Sequence, residues 1–379
     1  MIPMMMASSD TEVAIEGDLY MWGMNTQGQL GLGDSGSSTH RSTPVQLGSD
    51  TNWVTWVMSG RSGHAIKSDG TLWSWGRSNY GQGGFGNTTD TSSPVQLGAL
   101  TTWAHIGANL YSHHGILTNG KLYSWGAHAS KGGNLLETEA DVSSPVQVGS
   151  LTNWVSLAGN TLTNYGTASI KSGKLYTWGG NALGSLGLGN TTNFSSPQQV
   201  GSLTDWAQVS GHRRSFAAVK TDGTLWSWGS AYRGQSGQGN TTDISSPVQI
   251  GSLTNWLQVS LGGMFGSALK TDGTIWTWGA GQTGRLGTGS TTDVSSPVQV
   301  GSLTTWESIS ANYRGWHARK TDGTLWGNGA QATGLPTLGQ GTIDVSSPIQ
   351  IGVATTWQTF KKVAGYTGAR YSIGFIKDA

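Results

Sequence analysis

Hydrophobic residues fall in short alternating runs separated by Gly, Asp, Asn, Ser and Thr, and the pattern recurs along almost the whole chain. In one copy the runs are Trp206 to Val209, Ser215 to Lys220, Leu225 to Gly229 and Pro247 to Ile250. Each is rich in Val, Ile, Trp or Phe and is bounded by turn-forming residues, the punctuation of β-strands. Leu225-Trp226-Ser227-Trp228 places both indoles on one face, because side chains alternate sides along a strand. Thr221-Asp222-Gly223-Thr224 reads as a tight hairpin, since Gly accepts the positive φ such a turn needs. No stretch shows a helical period, and none approaches the 18 apolar residues of a spanning helix.

The copies keep time with one another. Prolines at 44, 94, 145, 197, 247, 297 and 348 recur about every 51 residues, followed in step by Trp53, Trp103, Trp154, Trp206, Trp256, Trp306 and Trp357. A period of this order marks solenoids, propellers or arrays. Four antiparallel strands repeated seven times suit a closed ring of small sheets, which hides the edges that otherwise invite aggregation. The predicted fold is therefore all-β, a seven-bladed β-propeller of four-stranded antiparallel blades. Its ends are offset by part of a repeat: Gly17 to Gly23 matches Gly70 to Gly76, while Gly374 to Asp378 matches the strand that precedes such a segment. This predicts a ring closed by pairing of the N- and C-terminal segments; an open superhelix gives the offset no role. Length alone suggests two or three domains. The repeat overrides it, giving one domain over 13–379 behind a Met-rich tail at 1–12.

Composition narrows the function classes. Charged residues are only 11% against about 25% in ordinary domains, and the formal net charge is +1. Without a run of Lys or Arg there is no strong nucleic-acid signal, because counterion release needs a basic field. The absence of Cys removes disulfides, thiolate zinc sites and thiol redox chemistry. Met1 to Ala7 lacks a basic n-region and a long apolar core, so it does not read as a signal peptide.

Candidate chemistries reduce mainly to architecture. Gly187 to Thr192 is Gly-rich, but a phosphate-cradling loop needs GxxxxGK[ST] between strand and helix. Lys121 and Lys174 follow Gly yet precede Leu. Asp222, Asp272 and Asp322 sit one per blade in hairpin turns, where an Asp needs only its own backbone. Trp73, Trp75, Trp226, Trp228, Trp276 and Trp278 recur as sheet packing does, although paired indoles also suit sugar stacking. His64, His114 and His317 share a phase in different blades and form no Ser/His/Asp set. No catalytic residue, metal or cofactor is predicted, and the protein is read as non-enzymatic.

Leu225-Trp226-Ser227-Trp228-Gly229, the Gly-Gln-Leu-Gly-Leu-Gly stretch ending at Gly33, and Ser245-Ser246-Pro247-Val248-Gln249 together resemble the RCC1-like repeat family. The resemblance runs from about Val13 to Asp378. It implies a seven-bladed propeller, a fold that serves exchange factors, chromatin binders, ubiquitin ligase modules and a plant photoreceptor, and so constrains function little. The founding member is a guanine-nucleotide exchange factor with a wedge-like insertion. Here Trp-to-Trp spacing within a blade is 22 residues in most copies and 24 from Trp154 to Trp178, which leaves no room for a wedge.

In a four-strand meander the first and third connections share one face, and the second and fourth share the other. The second and fourth are nearly the same in every copy, whereas the first varies: Ser59-Gly60-Arg61-Ser62, Asn109-Leu110-Tyr111-Ser112, Gly211-His212-Arg213-Arg214, Gly263-Met264-Phe265, and Asn312-Tyr313-Arg314-Gly315-Trp316. Arg, Met and aromatic residues are the types enriched in protein interfaces. Arg61, Tyr111, Arg213, Arg214, Tyr313, Arg314 and Trp316 are therefore the expected partner-binding residues, with the Met-rich tail a second contact. The expected function is a rigid structural or interaction protein docking on protein partners in a larger assembly. A bacteriophage or viral particle component, decoration or tail, is the expected setting, and a virion or extracellular location is favoured. The alternatives are a secreted or surface carbohydrate-binding module, with a glycan as partner, and a Ran-type exchange factor. Asn328 replaces the Trp of other copies, and Lys131 to Glu137 replaces the Gly-Gln-Leu-Gly loop. A partner is expected to read such departures.

Overall fold

The computed structural model describes residues 16–109, 111–127, 140–155, 157, 166–330, 344–358 and 372–378. The Met-rich tail and the Lys131 to Glu137 loop lie outside them. The described chain is a ring of antiparallel blades, one per repeat, with blades 1 and 2 joined into one seven-stranded sheet by the Gly17↔Trp53 pairing. We number the blades so that blade 2 holds Trp53–Met58, Ser62–Lys67, Leu72–Gly76 and Thr91–Gln96. Blades 3, 5, 6 and 7 repeat this four-strand meander from Trp103, Trp206, Trp256 and Trp306. Among the described residues blade 4 has three strands, with Trp154 bridged to Lys171 where the first strand belongs.

Blade 1 is built from both ends of the ring. Gly17–Gly23 pairs with Ser372–Asp378 in an unbroken antiparallel register from Gly17↔Asp378 to Gly23↔Ser372. Arg41–Gln46 adds on the outside, and Trp357 bridges Lys377 on the inside. The expected closure is present. Phe375 and Ile376 are fully buried and pack with Trp22, Trp56 and Trp357, so the seam has a core of its own.

The first strands of blades 2 and 3, and those of blades 5, 6 and 7, lie side by side around the axis. Neighbouring first strands are tied by side chains: Gln208 Oε1 accepts from Val259 N at 2.8 Å and Ser210 Oγ from Leu261 N at 3.0 Å. Gln258 and Ser260 do the same for Ile309 and Ala311 of blade 7, at 3.0 and 2.8 Å. The outermost strands, such as Ile244–Gln249, are half exposed. They start earlier than the apolar run beginning at Pro247 suggests, because Pro lacks an N–H yet is tolerated on an edge strand at a bulge. The register shifts there, between Ser227↔Val248 and Gly229↔Ile244.

Tryptophan fills the space between blades. Nε1 of Trp75, Trp125, Trp228 and Trp278 donates to a carbonyl in the third connection of an earlier repeat, at 2.9–3.0 Å. Trp75, Trp228 and Trp278 are buried as predicted, and Trp73, Trp226 and Trp276 half buried. The turn aspartates serve their own turns: Asp272 Oδ1 accepts from Thr274 N and Oγ1, and Thr274 Oγ1 accepts from Trp276 Nε1 at 2.9 Å. Lys270 Nζ then sits 3.8 Å from the Trp276 ring centroid, a cation–π contact repeated at Lys67, Lys220 and Lys320.

Candidate protein-docking face

Among the described residues, backbone hydrogen bonds join the first and third connections of blades 2, 3, 5, 6 and 7. The residue opening the third connection donates to the tip of the first: Arg77 N to Arg61 O, Ala127 N to Tyr111 O, Ser230 N to Arg214 O, Ala280 N to Met264 O and Ala330 N to Arg314 O. Gly76, at φ +92, permits this approach, because a Cβ there would strike Arg61 O. The second turn is tied to the start of the next blade, as by Trp306 N to Gly273 O at 3.2 Å. The variable loops therefore share one face, raised on a frame that changes little from copy to copy.

The predicted site residues divide on this face. Arg213, Tyr313 and Arg314 come together although 100 residues separate the first two. Arg213 Nη2 donates to Tyr313 Oη at 2.5 Å, and its guanidinium carbon lies 5.1 Å from the ring centroid. Arg213 adopts φ +55, as does Met264 at φ +70, a conformation non-glycine residues rarely hold. Arg214 is exposed at the same tip. Arg61 and Tyr111 belong to blades 2 and 3, in another sector; Tyr111 packs on Tyr80 at 5.0 Å between ring centroids. Trp316 is not on the face. It is fully buried in the core between blades 6 and 7, because it replaces the indole that Asn328 lacks.

Arg285 was not foreseen. It stands in the third connection of blade 6 where other repeats have Gln29, Gln82, Ser185 and Gln235. Those glutamines accept a backbone N–H of their own loop, as Gln235 Oε1 does from Arg233 N at 2.8 Å. An arginine has no acceptor. Arg285 instead donates to Gln282 O at 2.9 Å and Gly263 O at 2.7 Å. Comparing each repeat with its siblings at the Gly-Gln-Leu-Gly loop is the signal that would have found it.

The repeat model for the Regulator of chromosome condensation (RCC1) matches residues 16–65, 69–108, 172–219, 222–269 and 272–313, more than half of the chain. The chain belongs to the RCC1 repeat family. Among curated relatives, the ultraviolet-B receptor UVR8 of Arabidopsis thaliana is 28% identical over 191 residues, which is 50% of this chain and 43% of the receptor. Two solved structures share the fold. Prp20p of Saccharomyces cerevisiae superposes with a TM-score of 0.81 at 18% identity, covering 97% of this chain and 93% of that one. Human WBSCR16 superposes with a TM-score of 0.82 at 18% identity, covering 96% and 99%.

Within this RCC1 propeller His64, His113, His114, His212 and His317 are buried. His64 and His113 meet across the boundary of blades 2 and 3 with ring centroids 3.9 Å apart. Burial lowers the His113 pKa to about 4, against hydrogen bonds that raise it, and burial with the nearby His113 ring lowers His114 to about 3. His114 Nδ1 lies 3.0 Å from Ser124 Oγ, in a pair closed to solvent. Among the described residues no helix is long and apolar enough to cross a membrane.

Proposed function

We propose that this RCC1 propeller is a non-catalytic docking protein that binds protein partners through the face carrying the first and third connections. One observation carries the reading: Arg, Tyr and Met vary on those loops over a frame of repeated backbone hydrogen bonds, as expected where a rigid scaffold presents binding loops. Solved relatives support it in kind. Prp20p is described by its binding to Gsp1p and histones, and the same protein, yeast RCC1, has been solved bound to Kap60. A rigid component of a larger assembly, including a virus particle, is the narrower form of this reading, and it rests on the near-identity of the repeats alone. Affinity capture with the intact chain tests the proposal. Alanine at Arg61, Arg213, Arg214 and Arg314 should release the partner, whereas Leu253→Ser on the opposite face should not. Equal capture by both variants would refute it.

A glycan reading has one observation in its favour. A groove of about 190 Å³ between blades 6 and 7 is lined by Trp306, Trp326, Leu303, Thr288 and Ser347. Phe85 and Leu188 pack into the corresponding space elsewhere, and Thr288 is shorter. Glycan-array binding lost in Thr288→Phe would support it.

A further inference from the structure

Five of the chain's ten arginines, at 213, 214, 233, 285 and 314, lie on the loops of blades 5 to 7 on one face. The same loops carry Asp243, Asp293 and Asp344, so arginine remains in excess on this face of a protein whose net charge is only +1. Its centre is Tyr313, buried to 9% exposure and bonded by Arg213. Arg285 is held beneath, 7% exposed, by two backbone carbonyls rather than by a carboxylate. Burial, then the charge of Arg314, pulls its pKa below the ordinary arginine value, with Tyr313 and then Asp293 opposing and Arg213 adding to the fall. Asp293 is itself engaged, with Oδ2 accepting from Arg233 Nη1 at 2.9 Å and Oδ1 from Gly281 N at 2.9 Å. A guanidinium partly stripped of water and fixed by neutral carbonyls is already oriented, so an arriving anion does not meet the cost of ordering it. Tyr232, 52% exposed with its hydroxyl on Met264 Sδ at 2.9 Å, adds an apolar shoulder beside the cations.

We propose that this arginine cluster around Tyr313 binds a carboxylate-rich peptide segment of the docking partner, with Arg285 as its fixed anchor. The inference rests on the docking reading above and names the chemistry of what docks. A peptide is favoured over nucleic acid because the arginines occupy one sector of the ring, whereas a polyphosphate chain needs a continuous basic track. Carboxylates match the planar fork of arginine in paired, charge-assisted hydrogen bonds.

Fluorescence anisotropy with the intact protein tests it, using a labelled Glu-rich peptide, its Gln-substituted counterpart and a short single-stranded DNA. The Glu peptide should bind, weaken as salt is raised, and lose about tenfold or more in affinity in Arg285→Gln and in Arg314→Gln. Arg285→Gln installs the residue three sibling repeats carry, and an unchanged melting temperature shows that it folds. Equal binding of the Gln peptide, tighter binding of the DNA, or unchanged affinity in both folded variants overturns the proposal. Partner capture that needs the loop arginines but ignores Arg285→Gln and excess Glu peptide overturns the acidic chemistry and leaves docking standing. Specific Glu-peptide binding with no partner released by the loop variants does the reverse.

Discussion

Trp316 and Asn328 are cross-strand partners in blade 7, in the positions that Gly266 and Trp278 hold in blade 6. The large and small residues have changed places. In blade 6 a Cβ at position 266 would collide with the Trp278 ring, so that pair needs Gly. In blade 7 the indole comes from the neighbouring strand, and its Nε1 donates to Leu286 O at 3.3 Å while Asn328 Nδ2 donates to Gly284 O at 2.7 Å. Both still reach the third connection of blade 6. The prediction is non-additive: Asn328→Trp alone should overpack the site and Trp316→Gly alone should leave a cavity worth about 3–5 kcal/mol. The double variant should recover most of the loss, and urea melts of all four proteins measure the coupling.

Ring closure makes a second prediction. Tyr20 and Phe375 are register partners at the seam, and Phe375 is fully buried against Trp22 and Trp56. Phe375→Ala should cost about 3–5 kcal/mol. It should also expose strand edges in blade 1, so light scattering should show aggregation at a lower temperature than for an equally destabilising change inside blade 6.

Acid should loosen the propeller before its carboxylates titrate. His113 near 4, and His114 and His212 near 3, stay neutral in the fold because burial opposes their charge, reinforced for His212 by Arg213 and Arg285. The unfolded chain takes up protons near pH 6.5 that the folded chain refuses, so stability is full above that pH and falls as pH drops toward 4. Melting temperature should therefore decrease by several degrees between pH 7 and pH 5. His114→Gln, which keeps a polar side chain without titrating, should flatten that slope; an unchanged slope refutes the assignment.

Two glycines with similar φ should respond differently to alanine. Gly301, at φ +58, has open space where a Cβ would sit, so Gly301→Ala should cost about 1 kcal/mol of conformational strain. Gly273, at φ +76, faces Thr304 O, which a Cβ would strike. Gly273→Ala should be clearly worse, because it also disturbs the bond that Trp306 N donates to Gly273 O. Denaturant midpoints compare the two.

The amino-acid sequence by itself determined the strand pattern, the one-blade-per-repeat plan, the offset closure at Gly17 and Asp378 and the face on which Arg61 and Arg213 stand. These follow from local rules, since alternation, Gly and Asp turns and a fixed period act within one repeat. Tertiary structure decided which substitutions meet. Trp316 reads in sequence as a loop aromatic beside Tyr313, yet it belongs to the strand Gly315–Lys320, where it pairs with Asn328 and fills the core. Arg285 joined Arg213 and Arg314 only because three blades converge toward the axis, bringing distant loops into one electrostatic field. Side chains alternate along a strand within a repeat, but contact between repeats depends on how the ring closes.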